Sequence, residues 1–78
     1  MRIFENDEVI EYLATHQLRT RYLKAKAFLQ SDNFTSVDFK KRNPKRADIY
    51  QLRITGKYRA YCYFIGSDLY VFAIDDHQ

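Results

Sequence analysis

Tyr50–Gln51–Leu52–Arg53–Ile54–Thr55–Gly56–Lys57–Tyr58–Arg59–Ala60–Tyr61 sets β-branched and aromatic residues around a single glycine. That pattern predicts two antiparallel strands joined by a turn at Thr55–Gly56–Lys57. A three-residue loop there pairs Ile54 with Tyr58 and Arg53 with Arg59. Side chains alternate along a strand, so Leu52, Ile54, Ala60, Cys62 and Phe64 share one face. Gln51, Arg53, Arg59, Tyr61 and Tyr63 share the other. Downstream, Gly66–Ser67 predicts a two-residue turn that pairs Phe64 with Leu69. Leu69, Val71 and Ala73 then join the first face. The strands are expected over 48–55, 58–65 and 69–75, with one more near 35–41.

Upstream of Ser31–Asp32–Asn33 the period changes. A short helix is expected over 6–15, capped by Asn6, with Asp7 and Glu8 at its positive N-terminal end. Ile10, Leu13 and Ala14 are its expected inward residues. A second helix is expected over 17–30, because Leu18, Tyr22, Ala25 and Leu29 make a continuous apolar stripe. Arg2–Ile3–Phe4 fits a very short edge strand. These elements predict an α+β fold, a helical hairpin packed on an antiparallel sheet of three to four strands, with the first face turned to the helices.

The chain has 78 residues, which is room for one core and therefore one domain over residues 1–78. An apolar fraction of 46% and seven tyrosines with six phenylalanines argue against disorder. The single cysteine, Cys62, excludes an internal disulfide and a thiolate zinc site. Two histidines far apart make no metal-ligand set, and no phosphate loop or nucleophile elbow is present, so neither a metal nor a cofactor is expected. There is no apolar run of membrane-spanning length and no signal-peptide layout, so a cytoplasmic protein without membrane contact is expected.

The formal charge is +3, unevenly placed. Residues 1–38 carry five basic and six acidic side chains; residues 39–78 carry eight and four. Lys40, Lys41, Arg42, Lys45 and Arg46 fall within seven positions. Such a stretch neutralises nucleic-acid phosphates or is a solvated loop. Arg53 and Arg59 on one open face repel each other unless an anion lies between them, either a phosphodiester or nearby carboxylates. Tyr61, Tyr63 and Tyr70 offer rings for base stacking, for sheet packing or for a protein partner. The run Asp75–Asp76–His77–Gln78 is either an acid–base pair or a polar tail.

Taken together, residues 50–61 and the segment Leu69–Tyr70–Val71–Phe72–Ala73–Ile74–Asp75–Asp76–His77 resemble the C-terminal half of the RelE/ParE toxin superfamily, most closely its YoeB and HigB branches. The resemblance covers about residues 35–77 and extends to the order of helical hairpin and meander. It implies a RelE-like fold and the toxin of a type II toxin–antitoxin system. The implied activity is ribosome-dependent mRNA cleavage in the A site by attack of a 2′-hydroxyl on the adjacent phosphate, without a metal. By position, Arg53 resembles the phosphate-holding arginine, His77 the C-terminal acid and Asp75 the acidic residue upstream of it. Lys40 and Lys41 resemble RNA-holding residues. Arg42, Lys45, Arg46, Arg59 and Tyr61 complete the expected RNA-contacting set. The implied partners are a cognate antitoxin, mRNA and the ribosome, with operator DNA reached through the antitoxin complex. Gln78 and Asp76 stand where related toxins carry tyrosine, and Val37 and Asp38 fall near the place of the YoeB glutamate. Two alternatives follow: a ParE-like inhibitor of DNA gyrase, and a catalytically degenerate antitoxin-binding homologue.

Overall fold

The computed structural model describes residues 1–42 and 48–76. Five strands form one sheet: β1 (Ile3–Glu5), β2 (Lys40–Lys41), β3 (Tyr50–Arg53), β4 (Tyr58–Ile65) and β5 (Asp68–Asp76), in the order β1-β5-β4-β3-β2. Two helices, α1 (Asp7–Thr15) and α2 (Arg19–Gln30), follow β1 and pack on one face of that sheet. The α+β class holds, with one more strand than the three to four expected. The sheet is also mixed, because β1 runs parallel to β5 at one edge.

Both turns set the registers read from the glycines. Arg53 pairs with Arg59, and the Ile54 amide donates to the Tyr58 carbonyl at 3.0 Å. Across the Gly66 turn Phe64 pairs with Leu69. Gly66 itself has φ +61°, a left-handed conformation that an L side chain would strain. Leu52, Ile54, Ala60, Cys62, Leu69 and Val71 are all buried beneath the helices.

One register expectation is overturned. Ile74, not Ala73, is the last core residue of β5. Tyr61 faces Ala73 while Cys62 faces Val71, so Phe72 is an extra residue, a β-bulge that reverses the alternation beyond it. The Phe72 carbonyl accepts a hydrogen bond from Asn6 Nδ2 at 3.2 Å. The same Asn6 caps α1, its Oδ1 accepting from the Val9 amide at 2.8 Å. A single side chain thus ties the helix start to the bulge.

Within α1 the inward residues are Val9 and Leu13, whereas Ile10 is 50% exposed and Ala14 is also on the surface. The stripe of α2 is as expected: Leu18, Tyr22, Ala25 and Leu29 are all buried. The helix starts at Arg19, because Gln17 takes a left-handed conformation that ends α1 sharply. Tyr22 donates to Glu5 Oε2 at 2.7 Å, and Lys26 Nζ lies 2.9 Å from the same oxygen. This arrangement fastens β1 to α2 and satisfies a carboxylate that is largely out of water.

The strand expected near 35–41 is mostly absent. Thr35–Val37 is a turn of 3-10 helix that ends at Asp38 with φ 50°, and only Lys40–Lys41 pairs with β3. The turn buries Val37 and brings Phe34 within 5.5 Å of Phe39, and Phe39 stacks on Tyr50 at 5.3 Å. Aromatic packing therefore takes residues whose β-branching indicates a strand. Phe64 keeps its expected face but lies beyond the helices, edge-on to Tyr50 and 39% exposed.

Cys62 is fully buried, and its Sγ donates weakly to the Tyr50 carbonyl at 3.6 Å. Burial pushes its thiol from 9.0 up to about 12. The folded state therefore keeps a proton that the unfolded chain releases above pH 9. Stability is expected to be flat below that pH and to fall as pH rises from about 9 to about 12. Burial, together with the hydrogen bond to Glu5, also raises the Tyr22 phenol, which acts with the same sign. Urea midpoints measured across this range check the slope, and Cys62→Ala should make it shallower without abolishing it.

Candidate functional site

Three neighbouring strands place Arg53, Arg59 and Asp75 in one cross-strand row, Arg53 opposite Arg59 and Arg59 opposite Asp75. Because the bulge lies before Ala73, Asp75 comes out on the face away from the helices. Without that extra residue Asp75 would be turned to the helix side. The row therefore exists only in the folded sheet, where two cations and a carboxylate from β3, β4 and β5 become neighbours.

The three members differ in what holds them. Arg59 folds along its own turn, with Nη1 donating to Thr55 O at 2.7 Å and contacting Gly56 O and Tyr58 O at 3.4 and 3.3 Å. Thr55 Oγ1 accepts from the Lys57 and Tyr58 amides, both at 3.1 Å, so the turn is closed from both ends. Asp75 Oδ1 accepts from the Asp76 amide at 2.8 Å. Arg53 is exposed and lines a pocket together with Arg21 and Lys24 of α2.

Other expected RNA contacts already have partners within the chain. Lys41 Nζ lies 2.7 Å from Asp48, whose carboxylate raises the lysine's pKa through a hydrogen bond and its charge. Lys40 Nζ is 3.5 Å from Asp38 on the surface. Arg42 sits over the Tyr61 ring, 4.4 Å from its centroid. Tyr61 is only 8% exposed, so its ring, with Arg42 over one face, is not open for a base. Lys45, Arg46 and His77 lie outside the described residues.

The open face carries a second aromatic row. Phe4 stacks on Tyr70 at 5.0 Å, Tyr70 on Tyr63 at 6.0 Å, and Tyr63 meets Phe72 at 5.5 Å. Arg2 lies over Phe4 at 5.4 Å and is held by Asp68 at 2.9 Å. On the opposite side, near the end of β5, His16 stacks on Tyr12 at 3.8 Å and meets Tyr58 edge-on at 5.8 Å. The Tyr12 phenol is raised, first by desolvation and then by Tyr58, Asp75 and Asp76. The sequence places His16 at the helix junction as a structural residue, and it does end α1, with Nδ1 3.0 Å from Tyr12 O. Its closeness to Tyr12 is readable from their four-residue spacing, whereas the approach of Tyr58 is not. Among the described residues no group of His, Cys, Asp and Glu could hold a metal ion, and no helix is long and apolar enough to cross a membrane.

This arrangement of strands and helices has a counterpart among solved structures. A YoeB/ParE toxin from Agrobacterium tumefaciens superposes over 100% of both chains, with a TM-score of 0.63 and 16% sequence identity. The chain is therefore built on the same fold as that toxin, as the RelE/ParE resemblance implies. No family model and no curated protein matches the sequence.

Proposed function

We propose that this chain is the toxin of a type II toxin–antitoxin pair and cuts mRNA on the ribosome. The observation that carries this reading is the row Arg53–Arg59–Asp75, formed on a fold shared with a YoeB/ParE toxin. A scissile phosphodiester at this row meets the exposed guanidinium of Arg53, which neutralises the charge that grows on the phosphoryl oxygens in the transition state. Asp75 takes the proton from the 2′-hydroxyl as its oxygen attacks phosphorus. His77, two positions further along, gives a proton to the departing 5′-oxygen. The products are a 2′,3′-cyclic phosphate and a 5′-hydroxyl, so no water or metal enters the balance. An antitoxin is the expected partner, acidic where it covers the basic residues, and it would stabilise the toxin by binding only the folded state.

Primer extension on translated mRNA, with and without ribosomes, tests this reading. Cuts inside codons that require ribosomes and disappear in His77→Ala are expected. Growth inhibition without any cuts would transfer the chain to the ParE-like, gyrase-blocking class. Neither cuts nor inhibition would identify a degenerate antitoxin-binding homologue.

A further inference from the structure

Among the described residues, four basic side chains have neither an ion pair, a hydrogen bond nor a ring contact: Arg19, Arg21, Lys24 and Arg53. Three of the four, Arg21, Lys24 and Arg53, line a single pocket of about 390 Å³ between α2 and the edge of β3. Among the described residues no carboxylate lines it; Ser36 adds a hydroxyl, and Phe28 and Val37 contribute apolar wall. Apart from Arg19, the other lysines and arginines among the described residues are matched by carboxylates, carbonyls or rings. Here three basic residues line one concave space, so their fields add, and among the described residues no lining carboxylate offsets them.

The backbone adds a further donor. β2 pairs only with Tyr50 and Gln51, so it stops short of Arg53. The Ile54 amide points to β4, where Tyr58 accepts it. Strand alternation therefore turns the Arg53 N–H the other way, to the edge that β2 leaves uncovered. The residues lining the pocket thus supply two guanidinium forks, one ammonium and a hydroxyl, a donor set suited to a tetrahedral oxyanion, and the Arg53 N–H lies on the same uncovered edge of β3.

We propose that this pocket binds a backbone phosphate of single-stranded RNA, next to the phosphate at the Arg53–Arg59–Asp75 row. In calling the ligand RNA, the assignment rests on the cleavage reading above. Arg53 lines the pocket and is also the register partner of Arg59, so basic residues follow one another from α2 across β3 to β4. A track of that kind fits a polymer with a charge at every unit better than an isolated acidic side chain. Arg21 and Lys24 bind and position the strand; they stand apart from the groups that move protons.

The experiment is fluorescence anisotropy of a short labelled single-stranded RNA with the whole chain, in a salt series, comparing wild type with Arg21→Gln/Lys24→Gln. Both positions are exposed on α2 and glutamine is a good helix former, so the variant's circular dichroism and melting temperature should match the wild type. Loss of two phosphate contacts is expected to make the log K against log salt slope shallower by about 1.4, with at least roughly tenfold weaker binding at low salt. An unchanged slope and affinity would overturn the proposal. Equal losses toward labelled polyglutamate, with no preference for RNA, would overturn it in favour of an acidic peptide. If wild type binds RNA through these residues but makes no ribosome-dependent cuts, the cleavage reading fails and the phosphate pocket stands.

Discussion

Arg53→Ala is expected to abolish growth inhibition and to slow RNA cleavage by about 10²–10³-fold while the domain stays folded. The magnitude is that of removing one charged or hydrogen-bonding group aimed at the charge of a transition state. Folding should survive because Arg53 is exposed and makes no ion pair or hydrogen bond with the described residues. Arg59→Ala is expected to combine a loss of rate with a loss of stability. That guanidinium closes the Thr55–Tyr58 turn, so its loss should lower the urea midpoint as well as the rate. Arg53→Lys should restore little, since an ammonium lacks the planar fork that grips two phosphoryl oxygens at once. Single-turnover cleavage on programmed ribosomes, measured beside circular dichroism, checks all three variants. Full toxicity of a well-expressed Arg53→Ala would remove Arg53 from the site.

Leu69→Ala is expected to cost about 2–5 kcal/mol of folding stability. Leu69 is fully buried, and β5 sets it between Ile3 of β1 and Phe64 of β4. Truncation there leaves a cavity beneath the helices that sheet and helices together cannot close. A domain of 78 residues has only about 4–12 kcal/mol in hand, so the variant should be largely or partly unfolded at 37 °C. Leu69→Met keeps the volume and should cost under about 1.5 kcal/mol. Urea denaturation followed by circular dichroism distinguishes these outcomes. A small effect of the alanine variant would mean that the sheet closes over the gap.

The sequence by itself determined those features whose cause lies within a few residues. Gly56 and Gly66 mark two turns in the sequence, and turn length sets register, so the pairings Arg53–Arg59 and Phe64–Leu69 are legible in the chain alone. The buried stripe of α2 follows from its spacing, and the cap at Asn6 from its side chain. Tertiary structure decided the rest. The bulge at Phe72 is held by Asn6, 66 residues away, whose side chain donates to its carbonyl. That bulge is what buries Ile74 and turns Asp75 to the open face. The parallel pairing of β1, the 3-10 turn at Thr35–Val37 and the placing of Arg42 over Tyr61 all arise from packing between distant segments. Charge is the clearest case. A count of lysines and arginines points to the stretch after Phe39, but there Lys40, Lys41 and Arg42 each find a partner in the fold. Arg21, Lys24 and Arg53 look scattered along the chain, yet folding brings them to one pocket that no carboxylate among the described residues lines. Helical and strand periods are local properties of a chain, whereas which charges remain unneutralised is a property of the folded surface.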